Sequence, residues 1–219
     1  MKIQLKRTNG TLIAKSDTLT LKELVENNKA NLVNAHLGGA DLVDANLVGA
    51  DLEDAYLENA NLEGADLGSA NLEGAYLVSA NLGSANLVNA NLGGAYLVNA
   101  NLVNANLGGA NLVNADLVNA NLGSANLVNA NLGGANLGGA KRGKWVLKTV
   151  PIQILGLEFF VIVFDEHLEI ECESHSFEEW EEFTNKDFKS MDSNVIKFKT
   201  ENEVIIKALI KQRRTNALS

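Results

Sequence analysis

Ala85-Asn86-Leu87-Val88-Asn89-Ala90-Asn91-Leu92-Gly93-Gly94 holds two copies of one five-residue unit, and that unit runs without a gap from Ala30 to Gly139, 22 times. Leu recurs every fifth residue from Leu32 to Leu137, and Ala every fifth from Ala30 to Ala135. Neither the 3.6-residue period of a helix nor the two-residue period of a strand fits this spacing. A unit that places an apolar pair at the same two positions each time must turn one corner per unit, with Ala and Leu pointing inward. Ala85, Leu87, Leu92 and Leu97 are representative of the core this predicts. A short fixed repeat of this kind is the mark of a solenoid, where each unit buries its apolar face only against its neighbours.

Exceptions to the repeat predict the number of units per coil. Of the 22 residues that precede Leu, 14 are Asn, and the largest departures are His36, Tyr56, Tyr76 and Tyr96, each 20 residues from the last. Twenty residues make four units, so four units per coil would stack these rings in one outward column, continued by Asp116 and Asn136. Like side chains in register at strand spacing attract one another. A second periodicity is also present: Gly93, Gly108, Gly123 and Gly138 recur every 15 residues, as gene duplication or drift would leave them. The second residue after Leu is Gly in 8 units, Asn in 8, Ser in 4 and Asp in 2. Gly and Asn accept positive φ, which assigns this position to the third residue of a type II turn.

The run of Ala-x-Leu-x-x units, such as Ala85-Asn86-Leu87-Val88-Asn89, resembles the pentapeptide repeat family and covers half of the chain. The resemblance implies an all-β solenoid, a right-handed quadrilateral β-helix lined by the central Leu and the Ala two residues before it. Twenty-two units then give five and a half coils, about 26 Å of rod at ~4.8 Å between stacked strands.

Three regions follow from this reading: a cap at 1–29, the β-helix at 30–140 and an α+β module at 141–219. In the first, Ile3 and Leu5, then Asn9-Gly10, then Leu12 and Ala14 read as a hairpin with a two-residue turn. Thr20 and Glu23 form a capping-box pattern ahead of Leu21, Leu24 and Val25, which predicts a short helix covering the open strand edges. After Ala140 the sequence turns basic, with Lys141, Arg142, Lys144 and Lys148 around Trp145. Phe159 to Phe164 reads as a buried strand. Leu168 to Cys172 reads as a half-buried strand, with Leu168, Ile170 and Cys172 inward and Glu169, Glu171 and Glu173 outward. Ser176 to Glu179 is a second capping box ahead of Phe177, Trp180 and Phe183, and Glu203 to Gln212 a final helix. The string Asp165, His167, Leu168, Ile170, Cys172, Glu173, His175, Trp180, Phe183 and Met191 resembles a C-terminal extension of some bacterial and phage pentapeptide proteins, a resemblance that brings no activity with it.

Residues suited to chemistry are few. His167, Cys172 and His175 are the one cluster of metal-ligand types, but their spacing matches no zinc finger, and Cys172 shares a strand face with Leu168 and Ile170, so core packing is preferred and no metal or other cofactor is expected. No nucleophile triad or phosphate-cradling loop is recognisable, and the expectation is a protein that is not an enzyme. Charge is more informative. Residues 30–140 carry 10 acidic and no basic side chains, and nine of the acids lie between Asp41 and Glu73: Asp41, Asp44, Asp51, Glu53, Asp54, Glu58, Glu63, Asp66 and Glu73. The rod therefore has no basic surface for nucleic acid.

The preferred reading is a structural or interaction scaffold whose partner is another protein, with the His36, Tyr56, Tyr76, Tyr96 column as its contact patch. The alternative comes from the resemblance: pentapeptide proteins that confer quinolone resistance are thought to mimic DNA and bind type II topoisomerases such as gyrase. Against it, the acids cover about two coils and the repeat has no projecting loop; solubility is the competing reading of the acids. One Cys, no apolar leader and no run long enough to span a bilayer predict a cytoplasmic protein without membrane contact.

Overall fold

The computed structural model of the chain describes residues 3–148, 151–154, 161–170, 173–182 and 193–216. It divides into two compact units, Met1–Val150 and Pro151–Ser219.

The first unit is a stack of four-sided coils. Parallel bridges join His36 to Tyr56, Tyr56 to Tyr76, Asn81 to Asn101 and so on through Asn121 to Lys141, each at a separation of 20 residues, or four five-residue units. Every Leu from Leu32 to Leu137 and every Ala from Ala35 to Ala140 is buried, including Ala85, Leu87, Leu92 and Leu97 at 0 % exposure. The corners follow the turn chemistry of the repeat. The second residue after each Leu has positive φ, from Asn34 at 58° to Gly139 at 73°, and the Ala that follows donates its N–H to the Leu carbonyl, as Ala35 does to Leu32 at 2.9 Å.

The unit from Asn101 to Ala105 shows why these residue types recur. Asn101 N–H reaches back to Ala80 O at 2.9 Å, Leu102 N–H forward to Asn121 O at 2.7 Å, and Asn104 N–H forward to Gly123 O at 2.9 Å. Ala105 N–H closes the turn on Leu102 O at 3.0 Å. One donor is left, Val103 N–H, and the Asn101 side chain accepts it through Oδ1 at 3.2 Å. Asn or Asp before Leu thus completes the hydrogen bonding of all five N–H groups, which a buried or half-buried backbone requires. The amide nitrogen then joins the coils: Asn101 Nδ2 donates to Asn81 Oδ1 at 2.8 Å, and Asn81 Nδ2 to Asn61 Oδ1 at 3.0 Å. Asp supplies the same acceptor but no donor. Accordingly Asp51 and Asp66 sit beneath Asn71 and Asn86, which donate to them at 3.2 and 2.8 Å.

Strands β1 (Ile3–Lys6) and β2 (Leu12–Ser16) form an antiparallel hairpin. Its loop differs from the expected two-residue turn. Gly10 N–H bonds Arg7 O at 2.9 Å and Arg7 N–H bonds Thr11 O at 2.8 Å, leaving a three-residue loop with Gly10 at φ +86°. Such a loop places its single positive φ on the glycine, whereas a type I′ turn would impose it on Asn9 as well. Helix α1 (Leu21–Glu26) starts at a Thr20 capping box and buries Leu24 and Val25. These elements satisfy the edge of the first coil. His36 N–H bonds Lys6 O at 2.7 Å, Thr8 N–H bonds Asn34 O at 2.8 Å and Asp51 N–H bonds Lys29 O at 2.8 Å. Glu26 Oε1 accepts from Asn46 N–H at 2.8 Å and Lys22 Nζ donates to Val43 O at 2.7 Å.

At the far end the ladder outlasts the repeat. Lys141 N–H still bonds Ala120 O at 2.8 Å, and β3 (Lys141–Arg142) folds back on β4 (Trp145–Val146) with Arg142 Nη1 on Leu122 O at 2.8 Å. The basic segment therefore belongs to the first unit, and the division falls after Val150 rather than after Ala140.

The second unit carries a four-stranded antiparallel sheet in the order β5 (Ile152–Ile154), β6 (Val161–Val163), β7 (His167–Ile170), β8 (Glu173–Ser176). Helix α2 (Phe177–Glu182) opens on Ser176, whose Oγ accepts from Glu179 N–H at 3.1 Å. Helix α3 (Ser193–Asn216) is longer at both ends than the hydrophobic pattern over Glu203 to Gln212. Val161, Val163, Leu168, Ile170, Phe177, Trp180, Ile206 and Ile210 form its core. The expected alternation of β7 fails: Glu169 is as buried as its apolar neighbours. Residues 159–160 and 171–172 of the expected strands, and Phe183, lie outside the described residues.

Candidate functional site

The coil register sets the ring column. The rings of His36 and Tyr56 lie 5.4 Å apart and tilted, those of Tyr56 and Tyr76 6.1 Å apart and tilted, and those of Tyr76 and Tyr96 4.9 Å apart, stacked at an interplanar angle of 12°. Asp116 and then Asn136 continue the bridges of this column. Tyr76 and Tyr96 are 42 % and 43 % exposed, so the stacked pair is open to solvent. Tyr56 leans over Gly38; a Cβ there would come within 2.9 Å of its Cε1. Its hydroxyl donates to Glu58 Oε2, and that bond holds the phenol above its ordinary titration range, with burial and the Glu58 charge acting in the same direction. Beside the rings runs a second row absent from the sequence reading: Val78, Val98 and Val118, half-buried. Its signal was present in the same 20-residue spacing, one position after Leu.

The nine clustered acids form a belt and not a single face. Asp41, Asp44 and Glu63 lie on the side of the Asp41–Asn61 bridge, Asp66 on that of Asn46, and Asp51, Glu53, Asp54 and Glu73 on that of the Asp51–Asn71 bridge; Glu58 shares the ring side. Several are held by the amide ladders. Asn71 Nδ2 reaches both Asp51 Oδ1 and Glu53 Oε2 at 3.2 Å, Asn81 Nδ2 reaches Glu63 Oε2 at 3.0 Å and Asn91 Nδ2 reaches Glu73 Oε2 at 3.0 Å. A carboxylate one position after Leu thus bonds the Asn of the coil that follows, an arrangement that period alone did not reveal.

A sequence model of pentapeptide repeats matches eight copies over residues 30–68, 55–94, 65–104 and 100–139, half of the chain. The chain belongs to the pentapeptide repeat family. Solved structures similar to this pentapeptide repeat protein include one from the thylakoid lumen of Arabidopsis thaliana, at 32% identity over 43% of this chain and 66% of that one, with a TM-score of 0.43. Rfr23 from the cyanobacterium Cyanothece 51142 is 45% identical over 43% of this chain and 61% of that one, with a TM-score of 0.28. QnrB1, a plasmid-mediated fluoroquinolone resistance protein, is 24% identical over 48% of this chain and 57% of that one, with a TM-score of 0.29. In each case the chain spans two thirds or less of the length of the structure it matches. No curated protein matches it.

In the second unit, the register separates the two histidines. His175 pairs with Leu168 and His167 with Ser176, so they point to opposite faces of the sheet. Cys172 lies outside the described residues. His167 is buried, stacked on Phe164 at 4.6 Å with Nε2 3.6 Å from Glu169 Oε1. Among the described residues no group of three or more His, Cys, Asp or Glu is placed to hold a metal ion, and no helix is long and apolar enough to cross a membrane. Arg213 donates to Val163 O at 3.4 Å and lies 3.9 Å from Asp165; burial lowers its pKa and the Asp165 charge opposes that shift.

Proposed function

We propose that this pentapeptide repeat protein is a non-enzymatic interaction scaffold whose contact patch is the ring column. The observation that carries the reading is the column of His36, Tyr56, Tyr76 and Tyr96, exposed except for the half-buried Tyr56 and flanked by Val78, Val98 and Val118, on a rod whose other three columns before Leu hold only Asn and Asp. Those amides and carboxylates are engaged in bonds along the rod, whereas the rings offer rigid contact area with a polar tip. The rest of the described rod is a core filled by Leu and Ala, which supports binding at a surface over chemistry in a cleft. A cytoplasmic location is part of the same proposal and rests on the single Cys.

Modulation of a type II topoisomerase by duplex mimicry is the less favoured reading. A mimic would present carboxylates in rows along the rod, while these acids encircle about two coils and Asp51, Glu53, Glu63, Asp66 and Glu73 are tied to Asn side chains.

The deciding experiment compares capture of proteins by the intact chain and by a Tyr76→Asn/Tyr96→Asn variant. Asn is the commonest residue at this position of the repeat, so the coil is retained. Partners lost only with the variant support the ring column; partners retained by it place the contact elsewhere. Gyrase supercoiling inhibited by the intact protein would favour the mimic.

A further inference from the structure

The ring column reads as its own complement. From the capped end of the rod it runs His36, Tyr56, Tyr76, Tyr96, Asp116 in consecutive coils, bridged at every step. A donor ring stands at the capped end, a carboxylate stands four coils on with Asn136 beyond it, and Tyr76 lies midway between ring and carboxylate. We propose that this face pairs with the same face of a second copy of this chain, antiparallel, about a two-fold axis passing beside Tyr76. The inference rests on the reading of the ring column as a contact surface and names its occupant.

The pairing follows from symmetry. Two flat faces packed against each other are related by an axis lying in the interface, and an axis perpendicular to the rod reverses its direction while keeping each column opposite itself. His36 then meets Asp116 of the other copy, Tyr56 meets Tyr96, and Tyr76 meets Tyr76. The adjacent row obeys the same operation: Gly38 meets Val118, the smallest residue against a branched one, Glu58 meets Val98, and Val78 meets itself. Glu58 takes the Tyr56 hydroxyl bond through one of its two carboxylate oxygens, Oε2. Asp116 bonds its own turn through Oδ1, accepting from Val118 N–H at 3.2 Å, which leaves Oδ2 for the imidazole of the other copy.

A carboxylate on the column does not by itself single out this face. The Asp41 column runs from a carboxylate to a cation, Lys141. Between those ends, however, lie amides already bonded along the column, Asn81 to Asn61 and Asn101 to Asn81, with no ring to bury. Five coils at ~4.8 Å by a side of ~10 Å give on the order of 250 Å² per copy, far below the ~800 Å² per partner of a standard interface. The pair is therefore weak and concentration-dependent.

Sedimentation equilibrium of the full chain from about 1 μM to about 1 mM tests it, with circular dichroism confirming that each variant is folded. The expected result is a monomer–dimer equilibrium that Tyr76→Asn weakens by about tenfold or more. His36→Asp weakens it as well, and the double variant His36→Asp/Asp116→His restores it, an outcome that loss of folding cannot produce. In a second measurement, Val78→Cys, which meets itself across the same axis and keeps all three tyrosines, yields a linked dimer with a short bismaleimide, while Asn86→Cys on the neighbouring side and the wild type, with Cys172 alone, do not. A monomer throughout the range, a dimer indifferent to Tyr76→Asn, or equal linking through position 86 overturns the pairing. A chain that stays monomeric yet loses its captured partners on Tyr76→Asn/Tyr96→Asn would overturn self-pairing and leave the scaffold reading intact.

Discussion

Asn101→Ala removes two hydrogen bonds at once, and the geometry sets what that costs. The Asn101 carboxamide accepts Val103 N–H at 3.2 Å and donates to Asn81 Oδ1 at 2.8 Å. A neutral hydrogen bond contributes about 0.5–1.5 kcal/mol net, and a buried donor left unsatisfied costs about 1–3 kcal/mol. Both groups are half-buried, so water replaces part of each bond and the expected loss is about 1.5 kcal/mol in all. For a chain of this size that is a fall in Tm of about 3–6 °C. Asn101→Asp separates the two roles: it keeps the acceptor for Val103 N–H but sets a carboxylate against Asn81 Oδ1, replacing attraction by repulsion. Its cost should nevertheless be smaller than that of Asn101→Ala, because the following coil places Asn121 where Asn71 and Asn86 donate to Asp51 and Asp66. Urea denaturation followed by circular dichroism measures both variants. Stability unchanged within error for Asn101→Ala would refute the assignment of the fifth backbone donor to the side chain.

Other consequences follow from the same coil. Leu87→Ala leaves a cavity in a fully buried site and should cost about 2–5 kcal/mol, while Ala85→Phe has no room inward and should disrupt the coil outright; denaturation midpoints and circular dichroism read both. Gly64 and Gly94 have nearly the same φ, +66° and +63°, but a Cβ on Gly64 would lie 2.3 Å from Asp44 Oδ1 and one on Gly94 meets nothing within 4 Å. Gly94→Ala should cost about 1 kcal/mol of backbone strain, Gly64→Ala more, and Asp44→Gly should erase the difference. Tyr56 titrates above the ordinary phenol range because Glu58 accepts its proton. The bond from the protonated phenol to the Glu58 carboxylate is intact below the ordinary phenol value and its contribution is lost as pH rises through the raised one, so Glu58→Gln should bring the late phenolate absorbance to lower pH. Glu23 lies below the usual carboxylate range, first through the Thr20 backbone bond and then through its hydroxyl. Its support of α1 is thus present at neutral pH and lost as pH falls through the lowered value; the protection of the Thr20 amide against exchange, relative to an unstructured peptide at the same pH, should fall there, and Glu23→Gln should remove that pH dependence.

Much of the rod was legible because its residues answer to local rules. The five-residue spacing of Leu and Ala can only be buried at corners, and the Gly, Asn, Ser and Asp set at one position announces positive φ, found at all of those positions from Asn34 to Gly139. The Asn preference was harder to interpret. Its reason lies in a donor that the backbone ladder leaves over, and in an amide bond to a residue 20 positions away. The acids were read by their place along the chain, which located the coils but not the sides they occupy. In the second unit the alternating pattern at Leu168 to Cys172 predicted one wet face, yet Ile162, Phe164, His167 and Glu169 are all buried. Periodicity reports which residues share a face and is silent on whether that face is covered. The Lys141–Arg142 strand shows the same limit: its composition announces a boundary while its backbone continues the ladder.

The central claim is the four-unit coil, and scalar couplings across hydrogen bonds in an NMR spectrum of the labelled protein test it most directly. The account predicts a coupling from Tyr76 N to the carbonyl carbon of Ala55 and one from Leu77 N to that of Tyr96, matching the bonds at 2.9 and 2.8 Å. A coupling from Tyr76 N to the carbonyl of Ala60 would mean three units per coil, and would dismantle both the ring column and the face built on it.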